Sequence, residues 1–177
     1  AMPDGTGVAK AIETFPKRAW DTGICESHTL DMLAGMAKTG CKPFFAVYST
    51  FLQRAFDQAF QEVSLQGLPV RLCLDRAGLV GGDGAVHHGF CDISLLRVLP
   101  GSVLLAAMDE ETLKLGLDFM HAYDDGLTAI RYPRDTVKEK GHDQHVPDFE
   151  LGKAHQIHDS KNHKLAILAY GTTAIDA

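Results

Sequence analysis

Four short apolar runs recur along this chain of 177 residues: Phe44-Phe45-Ala46-Val47, Val70–Leu74, Val103–Ala107 and Thr128–Tyr132. Stretches with a helical apolar period separate them, and that alternation constrains the fold more than any other feature. A run that is apolar at almost every position reads as a strand buried on both faces, as strands of a parallel sheet are. Glu26–Lys38 carries Leu30, Leu33, Met36 and Ala37 on one helical face and stops at Gly40. Phe51–Leu65 carries Leu52, Phe56, Ala59, Phe60 and Val63, with Ser49 or Thr50 as its cap. Glu110–Ala122 carries Leu113, Leu117 and Met120 behind an acidic first turn. Strands alternating with such helices predict an α/β fold, a parallel β-sheet with helices on both faces. Right-handed crossovers then set the carboxyl ends of the strands along one edge of that sheet. Shorter pieces complete the expectation: a helix over Val8–Phe15 ended by Pro16, a short strand Ala19-Trp20-Asp21, a helical turn Ile93–Arg97 and a last strand Leu165–Tyr170.

At 45% apolar and 23% charged residues the composition is that of ordinary globular material. The net charge of −6 argues against a nucleic-acid partner, whose phosphate backbone needs a basic surface. No apolar run reaches the ~18–20 residues of a membrane span, and no basic region followed by an apolar core opens the chain. The four cysteines, Cys25, Cys41, Cys73 and Cys91, form no C-x-x-C pair and read as reduced thiols of a cytoplasmic protein. His142, His145, His155, His158 and His163 are irregularly spaced and suggest no metal site.

The richest stretch is Leu74–Gly89, directly after the second apolar run. It holds five glycines, Asp75, Arg76, Asp83, His87 and His88, and has neither helical nor strand period. A plain connection needs only about 2–6 residues. A long glycine-rich loop carrying both charge signs at a strand's carboxyl end is where an open α/β sheet binds its ligand. Two other residues gain interest from position. Glu26 opens a helix, where a carboxylate suits the helix dipole whether or not it has chemistry to do. Arg54 lies near a helix start, against the dipole, and is either met by an anion or simply exposed.

Four stretches together resemble the 1-deoxy-D-xylulose-5-phosphate synthase family, thiamine-diphosphate enzymes of the transketolase group. They are Asp21-Thr22-Gly23-Ile24-Cys25-Glu26, Tyr48-Ser49-Thr50-Phe51-Leu52-Gln53-Arg54, the loop from Asp75 to Gly89, and Arg131-Tyr132-Pro133-Arg134. The resemblance implies that residues 1–137 are the pyrimidine-binding domain, lacking its first strand and helix. It implies that 138–164 is a linker and that 165–177 is the first strand of a further domain, so the chain reads as a fragment. By the same resemblance Glu26 is the catalytic acid that meets the cofactor's pyrimidine nitrogen, and Phe51 stacks on that ring. His87 is implied as a catalytic proton donor or acceptor. Tyr48, Arg76 and Arg134 would hold a substrate phosphate, with Arg54 and Asp83 beside the reacting carbons. The implied substrates are pyruvate and glyceraldehyde 3-phosphate, in a homodimer, serving isoprenoid-precursor, thiamine and pyridoxal synthesis.

Some features depart from the family pattern. Ser27 stands where Gln is common after the glutamate, and Val86 where Thr precedes the loop histidine. Gly82-Asp83-Gly84 has the letters of a metal-diphosphate motif, but the chain's only asparagine, Asn162, lies far too distant to complete it. The Mg2+ that goes with the diphosphate is therefore expected on a domain absent from this chain. A different transketolase-like thiamine enzyme and a catalytically inactive association domain are the alternative readings.

Overall fold

The computed structural model describes residues 2–136, 145–160, 162 and 164–177. The beginning of the expected linker, together with His142 and His163, lies outside them. Strands β1 (Phe44–Tyr48), β2 (Arg71–Asp75), β3 (Val103–Ala106) and β4 (Thr128–Arg131) form one sheet in the order β1-β2-β4-β3. Every pairing is parallel. Each strand lies within a residue of the expected apolar run.

The residues divide by parity between the two faces. Phe45, Val47, Leu72, Leu74 and Ala129 belong to the larger core, which helix α2 (Glu26–Lys38), the helical stretch after β1 and helix α4 (Asp92–Leu96) cover. Ile130, Leu105 and Cys73 point the other way, against Met120, Leu113 and Leu117 of helix α5 (Glu110–Ala122). Helices thus cover both sides of the sheet, as its apolar runs require, and burial is most complete in β2 and β4 while every residue of the edge strand β3 is half-buried. Helix α5 starts on a reciprocal cap: Asp109 Oδ1 accepts from the Thr112 N–H at 2.9 Å, and Thr112 Oγ1 accepts from the Asp109 N–H at 2.9 Å. A shorter helix, α1 (Ala9–Thr14), matches the first expected period.

Three expectations are corrected. Phe51–Leu65 is not one α-helix: Ser49–Ala55 winds as a 3-10 helix, Phe56–Gln58 (α3) as an α-helix, and Ala59–Ser64 as a π-helix. The break falls at Ala55, with φ −121° and ψ 20°. There the Arg54 carbonyl accepts from Ser27 Oγ at 2.5 Å. Neither Ser49 nor Thr50 caps the start with its side chain. Ala19–Asp21 forms no strand, because Asp21 Oδ1 accepts from the Gly23 N–H at 3.1 Å and bends the chain into a turn. A cleft of about 390 Å³, lined by Trp20 and Asp21, separates this segment from β1. Leu165–Tyr170 pairs with no strand among the described residues, and Leu165, Ile167 and Leu168 are exposed. Apolar residues become a strand only where a neighbour supplies a ladder. Here the short turn Gly171–Ala174 reaches the sheet, with Gly171 against Ala106 of β3.

The amino ends of the strands are held by one buried cation that the periodicity does not reveal. Arg71 is fully buried. Its Nε donates to the Met120 carbonyl at 2.6 Å, Nη1 to Pro69 at 2.6 Å, and Nη2 to Tyr123 at 2.9 Å and to Asp124 Oδ1 at 2.6 Å. It ties β2 to the carboxyl end of α5. Arg71→Met leaves these buried carbonyls without donors and is expected to destabilise the chain by roughly 3 kcal/mol. Equilibrium denaturation measures this, and a loss under about 0.5 kcal/mol would contradict the assignment.

All four cysteines are free, and Cys25, Cys41 and Cys91 are exposed. Cys41 lies on the surface just after the α2 stop. Burial in β2 pushes the Cys73 thiol up to about 12. At pH 8, Cys73 is expected to react with a neutral disulfide reagent roughly 10³-fold more slowly than the exposed thiols. Four equal rates in stopped-flow labelling would reject this.

Candidate functional site

Tyr48 ends β1, Asp75 ends β2, and the two residues are register partners. Arg131 ends β4. Glu26 opens α2 on the same edge of the sheet, as its contact with Arg54 shows. The site is built on these ends and on the loops that leave them.

The residues singled out in sequence form one unbroken line of contacts. Glu26, only 2% exposed, accepts at Oε1 from Arg54 Nη1 at 2.9 Å. Arg54 Cζ stands 4.7 Å over the centre of the Phe51 ring. Phe51 stacks on Tyr48 with ring centres 5.3 Å apart and planes 11° from parallel. The His87 imidazole meets both rings edge-on, at 5.7 Å from Phe51 and 6.1 Å from Tyr48. Arg76 Cζ lies 4.2 Å over Tyr48. Asp83 joins the far end, with Oδ2 at 3.2 Å from Arg76 Nε and Oδ1 at 3.0 Å from Arg134 Nε. All eight candidates, from Glu26 to Arg134, are therefore on one rim.

The histidine is fixed by its neighbour's main chain. His87 Nδ1 is 2.7 Å from the Asp83 carbonyl oxygen. A carbonyl can only accept, so Nδ1 carries the proton, and Nε2 is the nitrogen left for proton exchange.

Arg76 holds the loop at an unusual backbone angle, φ +56°. A non-glycine residue there costs about 1–3 kcal/mol and persists only when its surroundings enforce it. Here Asp75 does so, accepting from the Arg76 N–H at 2.6 Å with Oδ1 and from Nη1 at 2.5 Å with Oδ2. Burial pushes the Asp75 carboxyl above its ordinary range, against the pull of Arg76. Burial likewise pushes the Tyr48 phenol up. The loop closes on itself where Gly78 and Gly89 exchange N–H···O bonds of 2.9 and 2.8 Å, and His88 Nδ1 accepts from the Val80 N–H at 3.2 Å.

Several working parts lay outside the sequence reading. The Gly5 carbonyl accepts from Arg76 Nη1 at 2.7 Å, and a Cβ at Gly5 would overlap the Tyr48 hydroxyl. A glycine in an irregular segment is all that the sequence showed of this. The buried Asp92 accepts from Arg131 Nε at 2.9 Å, so Arg131 joins β4 to α4 while Arg134 turns to Asp83. Ser49 Oγ is buried without a partner, behind Gly89. Among the described residues no cluster of His, Cys, Asp or Glu could hold a metal ion.

A family model described as the transketolase, pyrimidine binding domain matches residues 1–140, and the chain belongs to that family. Over 97% of its length it is 46% identical to a 1-deoxy-D-xylulose-5-phosphate synthase of Helicobacter hepaticus. It is 48% identical to the protein of the same name from Aliarcobacter butzleri, again over 97%. The chain spans 27–28% of the length of these relatives. Among solved structures it is similar to a split-gene transketolase described as an inactive β4 tetramer. That likeness has a TM-score of 0.65 and 25% identity, over 84% of this chain and 47% of the other.

Gly89 and Gly82 provide an internal contrast. A Cβ at Gly89 would overlap the Arg76 carbonyl and the Ser49 hydroxyl, whereas one at Gly82 meets nothing. Gly89→Ala is expected to cost about 2 kcal/mol and to speed hydrogen exchange across residues 76–89. Gly82→Ala is expected to stay within ~0.5 kcal/mol of the parent. Equal denaturation midpoints for both variants would refute this account of the loop.

Proposed function

We propose that this chain is the pyrimidine-side wall of a thiamine-diphosphate-dependent 1-deoxy-D-xylulose-5-phosphate synthase. The whole protein would join pyruvate to glyceraldehyde 3-phosphate, releasing carbon dioxide and forming 1-deoxy-D-xylulose 5-phosphate. The observation that carries the reading is the unbroken line from the Glu26 carboxylate through the Phe51 ring to the Arg76–Asp83–Arg134 cluster. The identity to synthases so named supports it.

The donor set suits the cofactor. A buried carboxylate beside an aromatic face is what an aminopyrimidine needs, one for its ring nitrogen and one for its flat surface. When bound, thiamine diphosphate supplies the nucleophilic carbon and accepts the electron pair freed by decarboxylation. Glu26 holds a proton between its carboxylate and the pyrimidine nitrogen. Phe51 fixes the plane of that ring. Tyr48, Arg76 and Arg134 hold the phosphate of the three-carbon acceptor, since guanidinium groups match phosphate oxygens. Arg54 and Asp83 flank the reacting carbons. His87 moves a proton at Nε2, because Nδ1 is engaged by the Asp83 carbonyl.

The diphosphate and its Mg2+ would be held by a part of the protein outside this chain. A homodimer and a cytoplasmic setting complete the reading. Residues 138–164 are proposed as a linker and 165–177 as the opening of a further domain. The exposed apolar Leu165, Ile167 and Leu168 are consistent with a strand that pairs elsewhere.

Glu26→Ala in the intact protein is expected to lower kcat by about 10²–10⁴ without altering its melting profile by more than a few degrees. Pyruvate consumption with glyceraldehyde 3-phosphate as acceptor measures the effect. Undiminished turnover would reject the proposal.

A further inference from the structure

Arg54 makes the two contacts that a pyrimidine ring would need for itself. Its Nη1 donates to Glu26 Oε1 at 2.9 Å, and its Cζ stands 4.7 Å over the Phe51 ring. The side chain reaches both from the open side: it is 51% exposed, while the carboxylate beneath it is 2% exposed. Its main chain is anchored separately, because Ser27 Oγ donates to the Arg54 carbonyl at 2.5 Å. The guanidinium can therefore leave while the backbone stays.

The two groups are also alike in outline. A guanidinium is planar, carries N–H groups in its plane and packs its flat side on aromatic rings. A 4-aminopyrimidine is planar too, with in-plane nitrogens for a carboxyl group and a flat side for a phenyl ring.

We infer that Arg54 occupies the seat of the pyrimidine ring in this chain, and that guanidinium and ring exchange for one another on Glu26 and Phe51. The inference rests on the thiamine reading above. It gives Arg54 a task besides flanking the substrate, that of a placeholder for the cofactor. A buried carboxylate stripped of its partner is costly; as the guanidinium leaves, Glu26 takes a proton from solvent and donates it to the ring nitrogen, so the carboxyl group has a partner in both states. The seat accordingly selects flat, nitrogen-bearing rings.

The test is titration of the full 177-residue chain with 4-amino-2-methylpyrimidine. It is followed by calorimetry and by the 13C resonances of the Glu26 carboxylate and the Phe51 ring. Arg54→Ala empties the seat, and Arg54→Gln, which keeps most of the side chain's length without the charge, is run beside it. Removing a half-exposed ion pair and a cation–π contact is expected to tighten pyrimidine binding about tenfold. Millimolar guanidinium is expected to compete for the emptied seat, and Glu26→Gln on the Arg54→Ala background to abolish the gain. Equal or weaker binding by folded Arg54 variants would overturn the inference and leave the thiamine reading standing. If neither the parent nor the variants bind, with the Glu26 and Phe51 resonances unmoved, the inference is overturned as well, whereas the thiamine reading stands or falls on turnover by Glu26→Ala in the intact protein.

Discussion

Parallel pairing in a common register brings Tyr48 opposite Asp75 and Leu74 opposite Arg131, so that neighbouring strands finish together. Everything chemical in this chain depends on that shared finish. Each strand end releases its loop on the same side, and the loops have nowhere to go but along one rim. The opposite edge carries Arg71. There Arg71 fastens β2 to α5 through buried carbonyls, leaving the rim free of it.

Charge at the rim is balanced among the protein's own side chains. Arg54 meets Glu26, Arg76 meets Asp75 and Asp83, Arg134 shares Asp83, and Arg131 meets Asp92. Buried or half-buried ions persist because each has a partner at hydrogen-bond distance. The left-handed turn at Arg76 belongs to the same device, since Asp75 grips both the main chain and the side chain of the residue it forces into that turn.

The sheet was legible because a strand buried on both faces has almost no freedom of composition, and α2 and α5 because their apolar faces recur at the helical period. The winding of residues 49–64 was not. Its pattern is helical, but the choice among 3-10, α and π winding is made by distant groups, such as the Ser27 hydroxyl that engages the Arg54 carbonyl. Ala19–Asp21 and Leu165–Tyr170 misled for a related reason. An apolar or β-prone run states what it could pair with, and the neighbour decides whether it does.

By itself, the order of residues determined which side chains are present and on which side of the sheet each strand end delivers them, because parity and crossover handedness leave little choice. Only the tertiary structure decided who touches whom. That Glu26 meets Arg54, that His87 lies edge-on against both Tyr48 and Phe51, and that Gly5 must be bare beside the Tyr48 hydroxyl are contacts between residues far apart in the chain. Such pairings follow from packing distances of a few ångströms, which no local periodicity encodes.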